Sequence, residues 1–232
     1  MKPKKTAILQ SNYIPWRGYF DIIASVDEFI IYDEVQYTKN DWRNRNRIKT
    51  PEGLKWITIP VYQKRLSQKI AETEISDQKW NVKHWNLIKS NYAKASHFDN
   101  YCKIFELFYQ NINTVFLSEV NESMLRLICN LVGIKTKITN SSAYQLNGNP
   151  TERLVNLCKQ TGAEIYVSGP AAKNYLQEDL FVQENIKIEW MDYSGYPEYP
   201  QLSPPFDHRV SIIDLLFNTG AMASRYMKIG TR

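Results

Sequence analysis

The fold is decided by the stretch Thr6-Ala-Ile-Leu-Gln-Ser-Asn-Tyr-Ile-Pro-Trp-Arg-Gly-Tyr-Phe20. Its first four residues form a short apolar run, which is typical of a buried central strand. Polar residues begin abruptly at Gln10, and Pro15 keeps the residue before it out of helical angles, so the strand ends in a turn. An apolar helical face that includes Ile22 and Ile23 follows. Strand, polar turn and helix in this order predict ligand binding at the carboxyl end of the strand.

The turn itself carries aromatic and amide side chains. Tyr13, Trp16 and Tyr19 are costly to expose in a plain turn, so their presence favours a binding site. Gly18 permits a close approach to the backbone or an unusual backbone angle. An ordinary connection between a strand and a helix stays an alternative for this stretch.

Strands alternate with helices through residues 119–190, which is the signature of a parallel sheet covered by helices. Further strands are predicted over residues 28–32, 54–61, 134–139, 164–168 and 186–190. Helices are predicted over 119–132, from 149 to 162, over 175–179, and over 212–217, with a helical insertion over 79–115. We therefore predict one α/β domain over residues 1–232, with an open, mostly parallel sheet of the nucleotidylyl-transferase or Rossmann-like type. The segment 62–78 is expected to be a mobile loop and 221–232 a loosely held tail.

Composition limits the classes of partner. Of the 232 residues, 13% are aromatic, and so many rings make sugar or nucleobase stacking a standing possibility. The formal net charge of +5 suits an anionic small ligand but is too small to indicate a nucleic acid partner. An RNA-binding role that uses the basic stretch 43–49 is therefore the least supported hypothesis.

Cysteine usage and hydropathy indicate a cytoplasmic protein. Cys102, Cys129 and Cys158 lie far apart in apolar helical patterns, which is typical of reduced, packed thiols. No Cys-x-x-Cys motif is present, so we predict no metal site. The first residues run straight into a strand too short for a signal-peptide core, and no run of about 18 apolar residues predicts a membrane span. The oligomeric state does not follow from these features.

Polar clusters follow three of the predicted parallel strands, and open parallel sheets bind ligands along that edge. The clusters are Gln10, Asn12 and Tyr13, then Asp33, Gln36 and Tyr37, and finally Ser168, Gly169, Lys173 and Tyr175. We expect them to line one cleft.

A basic stretch follows the second strand and can reach the same edge. Arg43, Arg45 and Arg47 alternate with Asn44 and Asn46, so an extended chain places the guanidinium groups on one face and the amides on the other. Because close cations repel one another, this face calls for an anion, and a diphosphate fits the geometry of arginine. A solvated edge strand decorated with charge is the alternative.

Asp33 and His84 are the candidate catalytic groups. Asp33 is the best candidate base or metal-binding carboxylate, since a carboxylate at this edge lies near cations and a reacting amine. A helix cap or an arginine partner would explain Asp33 equally well. His84 lies on an aromatic helical face, where it is either a hydrogen-bonded core histidine or a site residue. No nucleophile, phosphate-loop or dinucleotide motif is present.

The chain resembles the WbqC-like proteins of bacterial polysaccharide gene clusters. The resemblance rests on Gln10-x-x-Tyr13-x-Pro15-x-x-Gly18-Tyr-Phe20 and on Tyr32-Asp33-Glu-Val-Gln36-Tyr-x-Lys39-x-x-Trp42-x-Asn44-Arg-Asn-Arg47. Weaker matches are His84-Trp85, Tyr166-x-Ser168-Gly169, Tyr175 and Tyr199-x-Gln201. One departure is Ala171-Ala172, where the family often has glycine.

The resemblance implies transfer of glycine or another acyl group to an amino sugar of O-antigen or capsule, with a nucleotide-linked sugar as substrate. The chain would then be a transferase or an ATP-dependent amide ligase, with ATP and Mg²⁺ near residues 10–19 if the acyl donor needs activation. A non-catalytic protein that binds the nucleotide sugar is the alternative. The expected binding residues are Gln10, Asn12, Tyr13, Trp16, Gly18, Tyr19, Gln36, Trp42, Asn44, Arg45, Asn46, Arg47, Ser168, Gly169, Lys173, Tyr175 and Gln201.

Overall fold

The computed structural model describes residues 2–231, and within them five parallel strands form one open sheet. The strands of the chain are β1 (Lys5–Leu9), β2 (Glu28–Ile31), β3 (Arg45–Thr50), β4 (Gly53–Thr58), β5 (Lys137–Asn140), β6 (Ile165–Ser168) and β7 (Lys187–Trp190). The α-helices are α1 (Arg17–Ala24), α2 (Trp80–Tyr92), α3 (Phe98–Asn111), α4 (Leu117–Leu131), α5 (Pro150–Thr161), α6 (Glu178–Gln183) and α7 (Ile212–Thr219). The predicted α/β fold with a parallel, helix-covered sheet is confirmed.

The sheet has the order β5-β2-β1-β6-β7, and every neighbouring pair in it is parallel. Counted along the chain, its strands run 3-2-1-4-5, which is the strand order of the doubly wound nucleotide-binding folds. In such sheets, ligands bind beyond the carboxyl ends of the strands, where the chain turns outward in both directions. Here that position lies between β1 and β6.

Both faces of the sheet are buried, and alternate residues of each strand face opposite cores. Ala7 and Phe29 belong to a large cluster with the side chains of α1, α2, α3, α4 and α7. Ile8 and Ile30 belong to a smaller cluster with α5 and α6. Two covered faces explain why the strands are continuous apolar runs rather than alternating ones.

The insertion between β2 and β5 is longer than the sequence indicated. Helices α2 and α3 lie within the predicted 79–115, but an antiparallel hairpin of β3 and β4 precedes them. The hairpin explains the strand predicted at 54–61, which pairs with the basic stretch instead of joining the parallel sheet.

Two segments predicted to be loose contain residues that hydrogen-bond to distant parts of the chain. In the predicted mobile loop, Gln68 is buried, and its carbonyl accepts a hydrogen bond from the Tyr37 amide at 2.7 Å. At the carboxyl end, Met227 is buried, and the Ile229 amide donates to Asp21 Oδ1 at 3.1 Å on α1. Both predictions rested on local composition, which does not report contacts with distant parts of the chain.

The described residues contain no helix with the length and apolar character needed to cross a membrane. The three cysteines are free thiols, with Cys129 and Cys158 buried and Cys102 partly exposed.

Candidate functional site

The turn after β1 adopts a strained backbone that is held from several sides. Ile14 is fully buried and has a φ of 37°, which is rare for a β-branched residue and costs roughly 1–3 kcal/mol. Asn46 Nδ2 donates to the carbonyls of Tyr13 at 3.2 Å and Ile14 at 2.8 Å, which fixes the strained residue against β3. Backbone strain of this kind clusters at functional sites.

The side chain of Arg43 also holds this turn through hydrogen bonds. Its Nη1 donates to the side-chain oxygen of Asn12 and, at 3.4 Å, to the Ser11 carbonyl, while Nη2 pairs with Asp41 at 3.4 Å. Nη1 and Nη2 of Arg43 are therefore engaged in contacts within the protein. Because Asn12 Oδ1 accepts from Arg43, the amide nitrogen is the group that Asn12 presents outward.

A cavity of about 310 Å³, which we call the cationic pocket, opens on one side of this turn. It is lined by Asn12, Pro15, Trp16, Trp42, Asn46, Arg47, His208 and Arg209. Five of these residues were predicted to bind a ligand: Asn12, Trp16, Trp42, Asn46 and Arg47. The pocket combines cations, an amide and indole rings, which suits a ligand with an anionic group and a flat or sugar-like face.

The guanidinium of Arg47 is the least satisfied cation in this pocket. It lies over the rings of Trp56 and Trp42, at 5.0 and 5.5 Å from their centroids. Its Nε has no hydrogen-bond partner among the described residues. Burial and the nearby cation of Arg209 lower the pKa of Arg47. An anion in the pocket would relieve this repulsion.

Arg209 and His208 were missed by the sequence analysis. Arg209 forms a two-point ion pair with Asp207, with contacts at 3.0 and 2.8 Å. His208 Nδ1 lies 2.7 Å from Arg17 Nη2, and since arginine can only donate, Nδ1 accepts and the ring proton sits on Nε2. Burial and the Arg17 charge lower the pKa of His208. The available signal was a His-Arg pair two residues before the Ser211 cap of α7.

The walls of the cationic pocket are anchored to the helical core. The Ser211 amide donates to the Arg47 carbonyl at 2.8 Å, and the Ile212 amide donates to the Pro15 carbonyl at 3.0 Å. Behind them, buried Asp214 accepts from the hydroxyls of Tyr92 at 2.8 Å and Tyr199 at 2.7 Å. These contacts fix the hairpin and α7 relative to the turn after β1.

Trp16 forms the opposite wall. Its ring meets Tyr193 and Tyr196 edge-on at 5.2 and 5.6 Å and lies against Gly18, where a Cβ atom would collide with the indole. This contact accounts for the glycine. It also places the Trp16 ring beside the first turn of α1.

A second cavity of about 310 Å³, the acidic pocket, lies on the other side of the turn, at the carboxyl ends of β2 and β5. It is lined by Ile31, Asp33, Glu34, Ala71, Ser118, Glu119, Glu122, Asn140, Ser141 and Ser142. Asp33 Oδ1 accepts from the Ser11 amide at 2.8 Å, which connects this pocket to the turn after β1. Burial raises the pKa of Asp33 to about 6.

His84 lies in the interior and uses both ring nitrogens. Its Nε2 donates to the Thr58 carbonyl at 3.0 Å, so Nδ1 accepts from the Tyr13 hydroxyl at 2.8 Å. The Tyr109 hydroxyl in turn lies 2.7 Å from that of Tyr13. Burial lowers the pKa of His84 to about 4, which makes the ring neutral near pH 7. The chain joins β4, α2 and α3 to the turn after β1.

Other residues predicted to bind a ligand form hydrogen bonds within the protein instead. The Tyr19 hydroxyl donates to the Gln10 carbonyl at 2.7 Å, and Asn44 Nδ2 donates to the Ile59 carbonyl at 2.8 Å. Gln201 Nε2 donates to Asp214 Oδ1 at 2.9 Å. Arg45 stacks on Trp56 at 4.2 Å and donates to Asn40 on the far side of the hairpin.

The remaining predicted residues lie apart from both pockets. Gln36 is exposed and pairs with the backbone of Lys69. At the end of β6, Ser168 is buried and Gly169 lies beside Tyr193. Lys173 lies over Trp190 at 5.3 Å, while Tyr175 is 71% exposed. The three predicted polar clusters therefore do not line one cleft.

Comparison with known proteins gives the family. The model of the WbqC-like protein family matches residues 10–226. "Uncharacterized protein Rv1507c" of Mycobacterium tuberculosis (strain ATCC 25618 / H37Rv) is 52% identical over 226 residues, which cover 97% of this chain and 98% of that protein. No solved structure matches the chain. The chain belongs to the WbqC-like protein family.

Proposed function

We propose that the protein is an N-acyl or aminoacyl transferase, with glycyl as the first group to test, that acts on a nucleotide-linked amino sugar of bacterial O-antigen or capsule in the cytoplasm. The observation that carries the proposal is the cationic pocket. Within it, Arg47 forms no ion pair among the described residues, its Nε has no hydrogen-bond partner, and its guanidinium lies over two adjacent indole rings. Family membership is consistent with this assignment.

Each part of a nucleotide sugar has a counterpart in the pocket. Arg47 and the Asp207-paired Arg209 supply positive charge for a diphosphate, and guanidinium groups match phosphate oxygens with directed hydrogen bonds. The amide nitrogen of Asn12 supplies a further donor. Trp16 and Trp42 offer faces for a sugar or base, since an aromatic ring packs well against flat apolar surfaces. The volume of about 310 Å³ holds only part of such a molecule, with the remainder on the open side.

Amide formation needs an amine, an activated acyl group and a proton acceptor. The amine nitrogen attacks the acyl carbon, the group that activated the acyl carbon leaves, and the amine loses a proton. Asp33 is the proposed acceptor of that proton, because its raised pKa of about 6 lies close to neutral pH. His84 is proposed as a positioning residue that fixes Tyr13, and with it the turn that separates the two pockets.

The experiment is an assay for the amide product. The protein is incubated with UDP-glucosamine or a UDP-linked 4-amino sugar, and the acyl group is supplied either as glycine with ATP and Mg²⁺ or as glycyl thioester. We expect mass spectrometry to detect the glycylated nucleotide sugar in at least one arm. Release of AMP and pyrophosphate assigns the ATP-dependent form. Binding of the nucleotide sugar without an amide product in either arm would contradict the transferase and leave the binding role.

A second candidate is a non-catalytic nucleotide-sugar-binding protein of the same pathway. It is favoured by the interior position of His84, both of whose ring nitrogens are engaged, and by Asp33 facing a cavity other than the cationic pocket. Calorimetric titration with UDP-glucosamine, UDP and glucosamine 1-phosphate tests binding separately from chemistry. Equal binding of an uncharged sugar would contradict both candidates.

A further inference from the structure

The acidic pocket has no role in nucleotide-sugar binding by the cationic pocket, yet it has the features of a built site. It lies at the carboxyl ends of β2 and β5, on the ligand-binding edge of the sheet but to one side of the position between β1 and β6. The first turn of α4 contributes Ser118 and Glu119, the end of β5 contributes Asn140, and the segment after β5 contributes Ser142. Its polar lining therefore comes from three separate elements that the fold brings together.

The carboxylate of Asp33 is the unusual group in this lining. Its side chain is only 5% exposed, yet Oδ2 has no hydrogen-bond partner among the described residues. The other oxygen, Oδ1, is held by the Ser11 amide at 2.8 Å, so the orientation of the carboxylate is fixed. A buried carboxylate oxygen without a partner is costly, and ligand binding is a common reason for retaining one.

The charges around Asp33 leave a negative surplus. Glu34 pairs with Lys69 at 2.7 Å, and Glu122 pairs with Arg126 at 2.8 Å. Among the described residues, neither Asp33 nor Glu119 forms an ion pair. Arg43 acts on Asp33 through space, but its hydrogen bonds go to the turn after β1 and to Asp41. The pocket is therefore complementary to a cation.

We propose that the acidic pocket binds the primary ammonium group of a small amine, with Asp33 Oδ2 as its main acceptor. An ammonium group has three donors, which match this oxygen together with the hydroxyl and amide oxygens of Ser118, Ser142 and Asn140. Within the described chain no three His, Cys, Asp or Glu side chains converge as metal ligands, which favours an organic cation. The inference shares Asp33 with the proposed transferase and deepens that function by naming an amine as the ligand of a second cavity, but its binding test does not depend on whether the cationic pocket binds a nucleotide.

Two sources supply this chemistry. One is an amino sugar, whose hydroxyls would meet the serine and asparagine side chains, and the other is the amino end of an aminoacyl compound. A cavity of about 310 Å³ accommodates either. Glucosamine and glycinamide are the matching probes, and N-acetylglucosamine and acetamide are their uncharged controls.

The test is calorimetric titration of the full chain with each probe near pH 7. We expect at least one charged probe to bind and both uncharged controls to fail, and the probe that binds identifies the source. The variant Asp33→Asn keeps an oxygen for the Ser11 amide but removes the charge, and we expect it to weaken binding roughly 30-fold or more, since a buried charge partner is lost. The control Glu34→Gln removes a carboxylate already paired with Lys69, and we expect a change below about threefold.

Two outcomes would overturn the inference: no binding of either charged probe, or equal binding by the wild type and Asp33→Asn. UDP-glucosamine is titrated in parallel against Arg47→Ala, so failure of the cationic pocket is seen separately.

If Asp33→Asn does not fold, the wild-type protein provides the second measurement. Glycinamide stays mostly protonated from pH 7 to pH 5, whereas Asp33, with a pKa of about 6, goes from mostly ionised to mostly protonated, so affinity is expected to fall about tenfold. The charged groups that face Asp33 are Glu34, Glu119, Glu122 and Arg43. Affinity that stays constant over this range would contradict the role of Asp33.

Discussion

The two pockets beside the turn after β1 have the same volume but opposite charge, and they hold their charges differently. In the cationic pocket, Arg47 sits on a hairpin and its guanidinium packs on indole rings at an open surface. In the acidic pocket, Asp33 sits at the edge of the parallel sheet and is buried. Ser11 contacts residues on both sides of the turn: its amide donates a hydrogen bond to Asp33, and its carbonyl accepts one from Arg43.

The difference determines which condition controls each pocket. A guanidinium at an open surface stays charged at every relevant pH, so binding of an anion there responds to salt through screening. A buried carboxylate exchanges its proton near neutral pH, so binding of a cation there responds to pH. If both proposals hold, one short turn separates a salt-sensitive site from a pH-sensitive one.

The contrast between the two pockets requires that the turn after β1 stays rigid. His84→Ala removes a side chain that fixes this turn through Tyr13. Removing the ring leaves the Tyr13 hydroxyl with Tyr109 as its remaining partner, takes the imidazole donor from the Thr58 carbonyl and opens a cavity in the interior. We expect a loss of about 3 kcal/mol in the free energy of unfolding, measured by urea denaturation.

The matched control for that variant is His97→Ala, in which a partly exposed histidine of the same chain is removed. We expect it to cost about 1 kcal/mol or less. A His84→Ala variant that is as stable as the wild type but inactive in the amide assay would instead assign His84 to the chemistry.

The variant Asp33→Asn tests the buried carboxylate of the acidic pocket through the pH dependence of the free energy of unfolding. The folded-state pKa of Asp33, about 6, lies above its ordinary value, so this group stabilises the protein below pH 4 and loses that contribution as pH rises through 6. His84, with a pKa lowered to about 4, acts in the opposite sense: its contribution is present above pH 6.5 and is lost as pH falls toward 4. The two effects offset each other in the wild type.

Removing Asp33 leaves the His84 effect uncompensated. We expect the stability of Asp33→Asn relative to the wild type to increase by about 2 kcal/mol between pH 4.5 and pH 7, measured by urea denaturation at both values. A difference that is independent of pH would mean that Asp33 is solvated, and the contrast between the two pockets would then disappear.

Arg47→Ala and Arg45→Ala form a matched pair on one strand that tests the cationic pocket. Arg47 lines the cavity, whereas Arg45 stacks on Trp56 and hydrogen-bonds to Asn40. We expect Arg47→Ala to weaken UDP-glucosamine binding about tenfold, because a charge-assisted contact is lost. Arg45→Ala should change it less than about threefold and respond mainly to salt. Equal losses in calorimetric titrations would point to a diffuse basic surface rather than a pocket.

The sheet followed from the sequence because its strands carry their own signals. Short apolar runs such as Thr6 to Leu9, interrupted by helical patterns, require only local periodicity to be recognised. The basic stretch and the strand at 54–61 were each predicted, but their antiparallel pairing was not, because local periodicity does not show which strands pair.

The site was predicted less completely because motif residues serve different purposes. Asn12, Trp16, Trp42, Asn46 and Arg47 come together, whereas Tyr13 and Tyr19 from the same motifs point inward. Residue type alone does not separate these cases, because an aromatic hydroxyl suits a ligand and a buried network equally. His208 and Arg209 were missed because they reach the pocket only through docking of α7, with the Ser211 amide bonded to the Arg47 carbonyl at 2.8 Å.

The smallest expected effect distinguishes the two exposed tryptophans of the hairpin region, whose rings lie 5.5 Å apart. Trp42 lines the cationic pocket and Trp56 lies behind it, and the two are similarly exposed, at 40% and 42%. If a sugar or base packs on Trp42, Trp42→Ala should weaken binding of UDP-glucosamine about fivefold, or about 1 kcal/mol, while Trp56→Ala should change it less than twofold.

The same variants titrated with inorganic pyrophosphate should not differ, because a diphosphate alone engages the arginines and not the ring. Since Trp56 also supports Arg47 at 5.0 Å, a loss on Trp56→Ala that appears with pyrophosphate as well would locate its effect in the cation rather than in stacking.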